Sequence, residues 1–562
     1  MKKIIPLIVT VFVFFSISQG QEVELEKTYD IPGKADIGDN PHVGYNDASG
    51  NFDYTFILKA KSDRINIENY QFDKDFNLVN SIQEELDISA AKAKYPWWNY
   101  EGDKLTKTSI SVDEDDNLVL RTMNFEYTYN WKKLQYTIKP SLQDKLKLKN
   151  VDGSSYFHYR NWTSEDDPDN LYILCGIKSK SDQLEYCKNF HLLLLNKTLE
   201  VVKDIEIRFT YPQDVVYPRF MDDKSEQRVN EFDNSIILVF APKNEGSKAS
   251  DPQKTNYTYV SVNDKLEIVD RLSFLSPSSF WSIEDNIQSE QSNAVFLFGA
   301  SLNVKDKYFD QLKDTKTFDG VEVMKVEDHK VTWVNEYSID EMENKVVMAP
   351  SQKKGDPYDG KRIFISNYML TDNGKLLFVG QQFFYDAMTA INEGRKKVKY
   401  ADCFGIAIDN DGQLIGQYLY DMKGFMGGQD FSIFQFLFPG KNPDNAYWML
   451  IQPVYWDWSS FLGGGYYTKR PVKPGALGMG SIGSGFSKIN CDLISSNFGK
   501  IDLNANSLTD FTNYQVNKEK KKSYILSTNP PFMYTDDNKL ILFGTQSISG
   551  GKRLWFLRLR LD

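Results

Sequence analysis

Residues 169–176 read DNLYILCG, and residues 190–207 read FHLLLLNKTLEVVKDIEI. The first stretch opens on an Asp-Asn turn pair and runs into apolar residues. The second holds an apolar run, a short polar turn and a second run of strand-forming residues. Asn and Asp tolerate left-handed backbone and hydrogen-bond their own main chain, so both turns suit antiparallel hairpins. Relatives of the first stretch recur along the chain: GNFDYTFILKA from Gly50, DNLVL from Asp116, DNSIILVF from Asp233, SNAVFLFG from Ser292, DNGKLLFVG from Asp372, DNAYWMLIQ from Asp444 and DNKLILFG from Asp537. Relatives of the second include TYVSVNDKLEIVDRLSF (258–274) and FGIAIDNDGQLIGQYLY (404–420).

The repeating unit is strand, turn, strand, variable loop, strand, turn, strand. Eight such units with almost no helical periodicity predict an all-β chain forming a single β-propeller of eight blades. A row of β-sandwiches fits less well, because Greek-key connections would not repeat one meander so evenly. The two ends agree with a ring. The last unit stops at its third strand, KRLWFLRLRLD, whereas QEVELEKTYDI from Gln21 resembles the fourth strands of other units. Pairing the two would complete the last blade and protect two open strand edges.

Residues 1–22 read MKKIIPLIVTVFVFFSISQGQE. Lys2 and Lys3 precede an apolar stretch from Ile4 to Ile17, and Ser18-Gln19-Gly20 is a small-x-small cleavage site, so residues 1–20 read as a signal peptide. The domain then spans 21–562, with no later apolar run long enough for a transmembrane helix. The formal charge of −11 becomes −13 once Lys2 and Lys3 are removed with the leader. An acidic chain offers no basic face to nucleic acid. Export also permits disulfides. Cys175 and Cys187 flank one predicted hairpin and are candidates for a local bridge, with free thiols as the alternative. Cys403 and Cys491 fall in separate strands and read as buried free thiols.

The Gln at the expected mature terminus, the Lys/Asn/Asp/Phe/Tyr-rich composition and the large aromatic-bearing repeats resemble exported β-propeller proteins of the Bacteroidota. The chain does not share the aspartate boxes of sialidases or the G-H…W-D signature of WD40 blades. RLRLD at the end does not resemble a type nine secretion-signal domain, which favours the periplasm. The resemblance implies a role as an accessory or plug subunit of the type nine secretion translocon.

Length accumulates between second and third strands and between successive units, whereas the turns within the first hairpin and between the last two strands read as short. Propeller geometry puts the two long sets at one end of the ring, where binding residues tend to sit. The long connections carry aromatic clusters with a basic flank: Trp97, Trp98 and Tyr100; Phe425; Tyr455, Trp456 and Trp458; Tyr466 and Tyr467, followed by Lys469 and Arg470. These are the candidate partner-binding residues. A protein partner at the outer membrane fits such a surface, and a glycan stacking on the tryptophans is the alternative.

Catalytic and cofactor motifs are not found. Gly478 to Gly483 spell G-x-G-x-x-G, but the upstream YYTKRPVKPGAL is no strand and the downstream FSKINCDLI is no helix, so the dinucleotide reading fails. No G-x-S-x-G or H-E-x-x-H occurs, and His42, His158, His191 and His329 fall in unrelated units. His191, inside FHLLLLNK, reads as a satisfied core residue. Asp409-Asn410-Asp411-Gly412 resembles part of a calcium loop but lacks its closing glutamate, so a hairpin turn is expected there. Asp386, Asp430 and Asp457 lie in long connections and keep a glycosidase pair open as an alternative. The leading expectation is a non-enzymatic periplasmic docking protein without metal or cofactor. The second is a carbohydrate-binding or glycoside-cleaving propeller.

Overall fold

The structure is a computed structural model. It describes residues 21–32, 42–46, 48–58, 64–94, 104–112, 118–130, 135–148, 156–164, 170–177, 187–196, 198–218, 230–232, 235–243, 251–252, 255–289, 292–312, 315–352, 354–386, 397–422, 433–455, 491–517, 522–526, 531–535, 537–549 and 551–562. The chain is all-β, with three short helices at Ile88–Lys94, Phe309–Leu312 and Ile339–Glu343 among the described residues. No helix there is long and apolar enough to cross a membrane.

The Asp/Asn-headed stretches each lead into a strand with antiparallel neighbours on both sides, giving a succession of meanders. Meander I is His42–Asn46, Asn51–Leu58, Arg64–Phe72 and Leu78–Asp87. Meander II is Lys104–Val112, Leu118–Asn130 and Gln135–Leu148, and it has no fourth strand among the described residues. Meander III is Tyr156–Ser164, Leu171–Ile177, Cys187–Leu195 and Val201–Tyr217. Its long last strand continues as the first strand of meander IV, followed by Ser235–Pro242, Tyr257–Asn263 and Ile268–Phe274. Meander V is Phe280–Gln288, Val295–Leu302, Gly320–Glu327 and Lys330–Ser338. Meander VI is Arg362–Leu370, Leu376–Asp386, Lys397–Ile408 and Leu414–Tyr420, with Val346–Met348 parallel on its outer edge. Meander VII is Phe434–Pro439, Asn445–Tyr455 and Cys491–Asp502, edged by Ser507–Leu508 and Thr512–Asn513. Meander VIII is Phe532–Thr535, Lys539–Ile548, Gly551–Leu561 and the N-terminal Gln21–Pro32. That last pairing runs from Gln21 opposite Leu561 to Pro32 opposite Gly551, as expected from the two chain ends.

Burial is graded across each meander. Second strands are covered on both faces, as in Val295–Leu302, where every residue is buried. They therefore read as continuous apolar runs rather than alternating ones. Fourth strands such as Leu78–Asp87 are largely exposed. First strands of neighbouring meanders touch: Val201–Tyr217 meets Phe280–Gln288, which meets Arg362–Leu370, which meets Phe434–Pro439. Four first strands carry a β-bulge whose extra residue is Tyr159, Val216, Glu284 or Ser366. A bulge bends the strand and raises its twist.

Aromatic and aliphatic layers fill the spaces between consecutive meanders. One layer joins II to III, another III to IV, a large one spans IV to VI, and two more join VI to VII and VII to VIII. A further layer joins VIII back to I, through Phe52, Tyr54 and Phe72 against Phe543, Leu554 and Phe556.

One turn recurs between third and fourth strands. Asp73, Asn196, Asn263 and Asp409 each accept two backbone N–H bonds, two and four residues ahead, at 2.7–3.1 Å. The residue after the middle one has positive φ: Phe76 (59°), Leu199 (61°), Leu266 (53°) and Gly412 (82°). A left-handed Leu or Phe costs about 1–2 kcal/mol. Phe76, Leu199 and Leu266 are all buried, which returns roughly 1.5–3 kcal/mol each. The Asp409 turn is thus a hairpin turn, as the sequence suggested.

Two expectations are corrected. The connection from Val201–Tyr217 to Ser235–Pro242 covers 218–234, so the first-hairpin turn of meander IV is long. It contains Asn230–Phe232, which pairs parallel with Tyr156–Ser164. The local disulfide is absent, and the thiols of Cys175 and Cys187 are both buried, with the Tyr159 hydroxyl 3.6 Å from Cys187 Sγ. Cys175 packs with Leu118, Ile173 and Leu193 between meanders II and III, whereas Cys187 packs with Tyr159 and Phe190 between III and IV. The two thiols lie on opposite faces of one sheet, where no rotamer joins them. Cys403 is also a buried free thiol, and the side chain of Cys491 lies outside the described residues.

Candidate functional site

Successive antiparallel strands reverse direction, so connections alternate between the two ends of each sheet. Connections 243–256, 275–279 and 303–319 leave meanders IV and V at one end, and turns 264–267 and 328–329 leave at the other. Connection 456–490, with the glycine run, leaves meander VII at the end equivalent to the first set. Of the sequence-derived candidates, Trp97, Trp98, Tyr100, Phe425, Trp456, Trp458, Tyr466, Tyr467, Lys469 and Arg470 lie outside the described residues. The backbone of Tyr455 pairs with that of Cys491 at the mouth of connection 456–490, and its side chain is outside the described set. Asp430 and Asp457 are outside it as well, as is the side chain of Asp386.

The long-connection end of meanders IV and V holds a recess of about 200 Å³. Three connections build it. Thr255 comes from the first and Tyr257 from the strand that follows it, Leu275 to Ser279 from the second, and Tyr308 and Phe309 from the third. Leu275 is 62 % exposed at its edge, while Ser276 and Ser278 are buried. Pro277 separates the two serines and removes a backbone donor there. Phe309 stacks on Phe280 at 5.5 Å, which fixes the short helix Phe309–Leu312 against the first strand of meander V.

Behind the serines lies Glu322, fully buried at the start of Gly320–Glu327. Ser276 Oγ donates to its Oε2 at 2.9 Å, and Ser278 Oγ also bonds that oxygen. The two hydroxyls are 3.0 Å apart, and the Ser278 N–H donates to Ser276 Oγ at 3.1 Å. Oε1 of Glu322 is buried with no hydrogen-bond partner. Burial raises the carboxyl to about 8 against the stabilising pull of the two serines, and the nearby Glu336 carboxylate adds to the rise. Glu336 faces Glu322 across the strand pair and is itself held by Ser301 Oγ at 2.8 Å and by Asn303. Burial, followed by the charge of Glu322, raises the Tyr257 phenol. Among the described residues no lysine, arginine or histidine forms an ion pair with Glu322. The arrangement is a mainly apolar, aromatic recess with two hydroxyls on its wall and an acid one hydroxyl deeper.

A second polar group joins the first strands of meanders III, IV and V. Asn286 Nδ2 donates to Tyr217 Oη at 2.7 Å. Burial raises the Tyr217 phenol, with the charge of Asp285 adding to it and that of Arg160 opposing it. Burial lowers the guanidinium of Arg160 from its usual range. Nearby His158 is pushed down to about 4 by burial and then by Arg160. This group ties three sheets together by polar contacts where the strands converge. His191 is buried in the core as expected but only half satisfied: its Nδ1 lies 2.8 Å from Asp204 on the adjacent strand, and its Nε2 is buried with no hydrogen-bond partner.

Sequence reasoning missed Ser276, Ser278 and Glu322. The only trace is an acid inside GVEVMKVE, in a strand whose neighbouring valines are fully buried. Groups of three or more His, Cys, Asp or Glu spaced to hold a metal ion are absent among the described residues.

No family model matches the chain, and no curated protein matches it. Solved structures with some likeness include a GH43_1 enzyme from Xanthomonas citri, at 7% identity over 53% of this chain and 83% of that one, with a TM-score of 0.24. The Synechocystis apocarotenoid oxygenase (Trp149Ala mutant) has 12% identity over 89% of this chain and 95% of its own, with a TM-score of 0.26. The β-propeller domain of the Trilobed protease from Pyrococcus furiosus has 8% identity over 73% and 92%, with a TM-score of 0.21. Likeness at this level carries no argument about the activity of this chain.

Proposed function

We propose that the meanders close into one eight-bladed propeller, and that the protein is a non-enzymatic binding module gripping a protein partner through its long-connection end. The seam between meanders VIII and I supports closure, because it reuses the contacts of internal seams. Tyr29 Oη in the N-terminal strand donates to the turn carbonyl of Phe76 at 2.6 Å. Tyr172 does the same to Asp264 at 2.9 Å between III and IV, and Tyr337 to Gly412 at 2.8 Å between V and VI.

The observation that carries the binding reading is the asymmetry of the two ends. One end carries the short self-bonded turns together with the longer connection 218–234, and the connections 243–256, 303–319, 339–361, 387–396 and 456–490 all leave from the other, the end at which the recess and the protruding Leu275 lie. A rigid scaffold with one elaborated end is the usual frame for recognition. With the address expected from residues 1–20, the partner is an outer-membrane or secreted protein met in the periplasm, and a translocon plug or accessory subunit is the form its resemblance implies.

Cross-linking in the native cell envelope, with mass-spectrometric mapping of the linked residues, tests this. A near-stoichiometric partner linked to 456–490, 387–396 or 423–432, and lost when 461–486 is deleted, is the expected result. Links confined to the short-turn end, or recovery of the protein alone, would overturn it. Binding and hydrolysis of glycans by the purified protein would favour the carbohydrate reading instead.

A further inference from the structure

The recess between meanders IV and V has a chemistry of its own, independent of ring closure and of any docking partner. A fully buried carboxyl is ordinarily matched by a cation or neutralised by a proton. Glu322 has no cationic partner among the described residues, and one of its oxygens is unbonded. The charged groups around it are acidic or phenolic: Glu336 from Lys330–Ser338 and Tyr257 from Tyr257–Asn263. The described charged side chains of connection 303–319, Lys305, Asp306, Lys307, Lys316 and Asp319, are all exposed rather than turned onto the acid. Connection 275–279 brings no charge at all. Among the described residues, then, no positive charge stands against the acid, and only its own proton neutralises it.

The wall facing the recess supplies what an ammonium group needs. With their protons engaged on Glu322 Oε2, Ser276 and Ser278 can present lone pairs outward. Tyr257, Tyr308 and Phe309 offer aromatic surface, and Leu275 and Pro277 offer apolar surface for a methylene stem. A quaternary ammonium has no N–H to give the serines, and a neutral alcohol brings no charge to the acid.

The geometry points to a binding site for a primary ammonium on a short alkyl stem, its N–H groups on Ser276 and Ser278 and its charge balanced by Glu322. The same chemistry comes from a free alkylamine or from a lysine side chain. Glu322 holds its proton at neutral pH in the empty site, so arrival of the cation expels that proton to solvent.

The experiment is calorimetric titration of the full mature protein with n-butylammonium at pH 7 in two buffers of different ionisation enthalpy. Saturable binding with release of close to one proton is expected, the release vanishing by about pH 9.5, where Glu322 is already ionised. 1-Pentanol, the neutral counterpart, and tetramethylammonium should bind at least about tenfold more weakly. Glu322→Gln should lose the proton release and about tenfold in affinity. Ser278→Ala, which leaves the acid in place, should weaken binding while keeping the release. Nα-acetyl-lysine N-methylamide separates the sources: binding equal to n-butylammonium assigns the site to a lysine side chain, and exclusion of it assigns a free amine. Pentanol binding as well as the amine, unchanged binding in Glu322→Gln, or no binding of either amine would each overturn the assignment.

Discussion

Replacing Phe556, in the third strand of meander VIII, by alanine tests whether the seam between meanders VIII and I is packed as the internal seams are. Its ring lies 4.7 Å from Phe72, 5.0 Å from Phe52, 5.8 Å from Phe76 and 5.9 Å from Tyr54, all in meander I. Alanine removes a fully buried ring and leaves a cavity between two sheets, costing about 3–5 kcal/mol. The polar contacts of the same seam are weaker. Lys27 Nζ donates to Asn77 Oδ1 at 2.6 Å and Arg558 to the Lys74 carbonyl at 2.6 Å, both at the exposed rim of the seam where water competes for the same groups. The rings therefore decide the seam. Phe378→Ala is the internal reference, since Phe378 stacks on Phe298 at 4.8 Å between meanders V and VI. Urea unfolding followed by tryptophan fluorescence should give losses of similar size for the two variants, with similar slopes. If Phe556→Ala costs under about 1 kcal/mol while Phe378→Ala costs the full amount, the seam is not equivalent to the internal ones, and the closure argument fails.

Two further outcomes follow from buried groups and turns. Burial pushes His42 and His158 down to about 4, so both stay neutral in the folded protein until well below their ordinary value of 6.5. Their contribution to stability is present above pH 6.5 and is lost as pH falls toward 4, and imidazole proton shifts in a pH titration check this directly. Glu322 has the opposite sign: its raised folded value makes its contribution largest below about 4.5, and that contribution is lost progressively up to about 8. At about 1.4 kcal/mol per pKa unit, wild type should lose several kcal/mol relative to Glu322→Gln across that window, and a pH-independent difference would refute the assignment. Asn263→Ala removes bonds to the N–H groups of Lys265 and Glu267 in an exposed turn and should cost about 1–2 kcal/mol by thermal unfolding.

The strand order was legible because the turns advertise themselves. An Asp or Asn that closes a hairpin must precede a second run of apolar residues, and every quoted stretch of that kind does begin a strand. The pairing of Gln21–Pro32 with Gly551–Leu561 was readable for a related reason: a chain that ends on a third strand leaves an edge to be covered. What could not be read was the facing of side chains. Cys175 and Cys187 look adjacent in a hairpin, yet the bulge at Leu174/Cys175 and the register of Cys187–Leu195 put them in different layers. Ser276, Ser278 and Glu322 were invisible because the contact joins the link between two meanders to a strand 46 and 44 residues further on. The long turn at 218–234 escaped because Val201–Tyr217 serves two sheets, a sharing that no local pattern signals.

The recurring third-to-fourth strand turn explains why the scaffold tolerates such unequal connections. Its polar half is self-contained: Asn263 Oδ1 accepts from the N–H groups of Lys265 and Glu267, and Asn263 Nδ2 donates to the Glu267 carboxylate at 2.9 Å. Its apolar half points inward, since Leu266 at positive φ is buried among Val260 and Val262 in the layer between meanders III and IV. Its carbonyls point sideways, with Asp264 accepting from Tyr172 and Lys265 from Lys203 of the preceding meander. One five-residue element thus sets the hairpin register, seals the layer and fastens the neighbour, all at one end of the sheets. Register and packing are then fixed without help from the opposite end. Connections there are free to lengthen, as 303–319 and 243–256 do, and to bring Tyr308, Phe309 and Thr255 over the serines at 276 and 278. The recess is a consequence of that division of labour, which is why it sits where two long connections and a proline-bearing crossover meet.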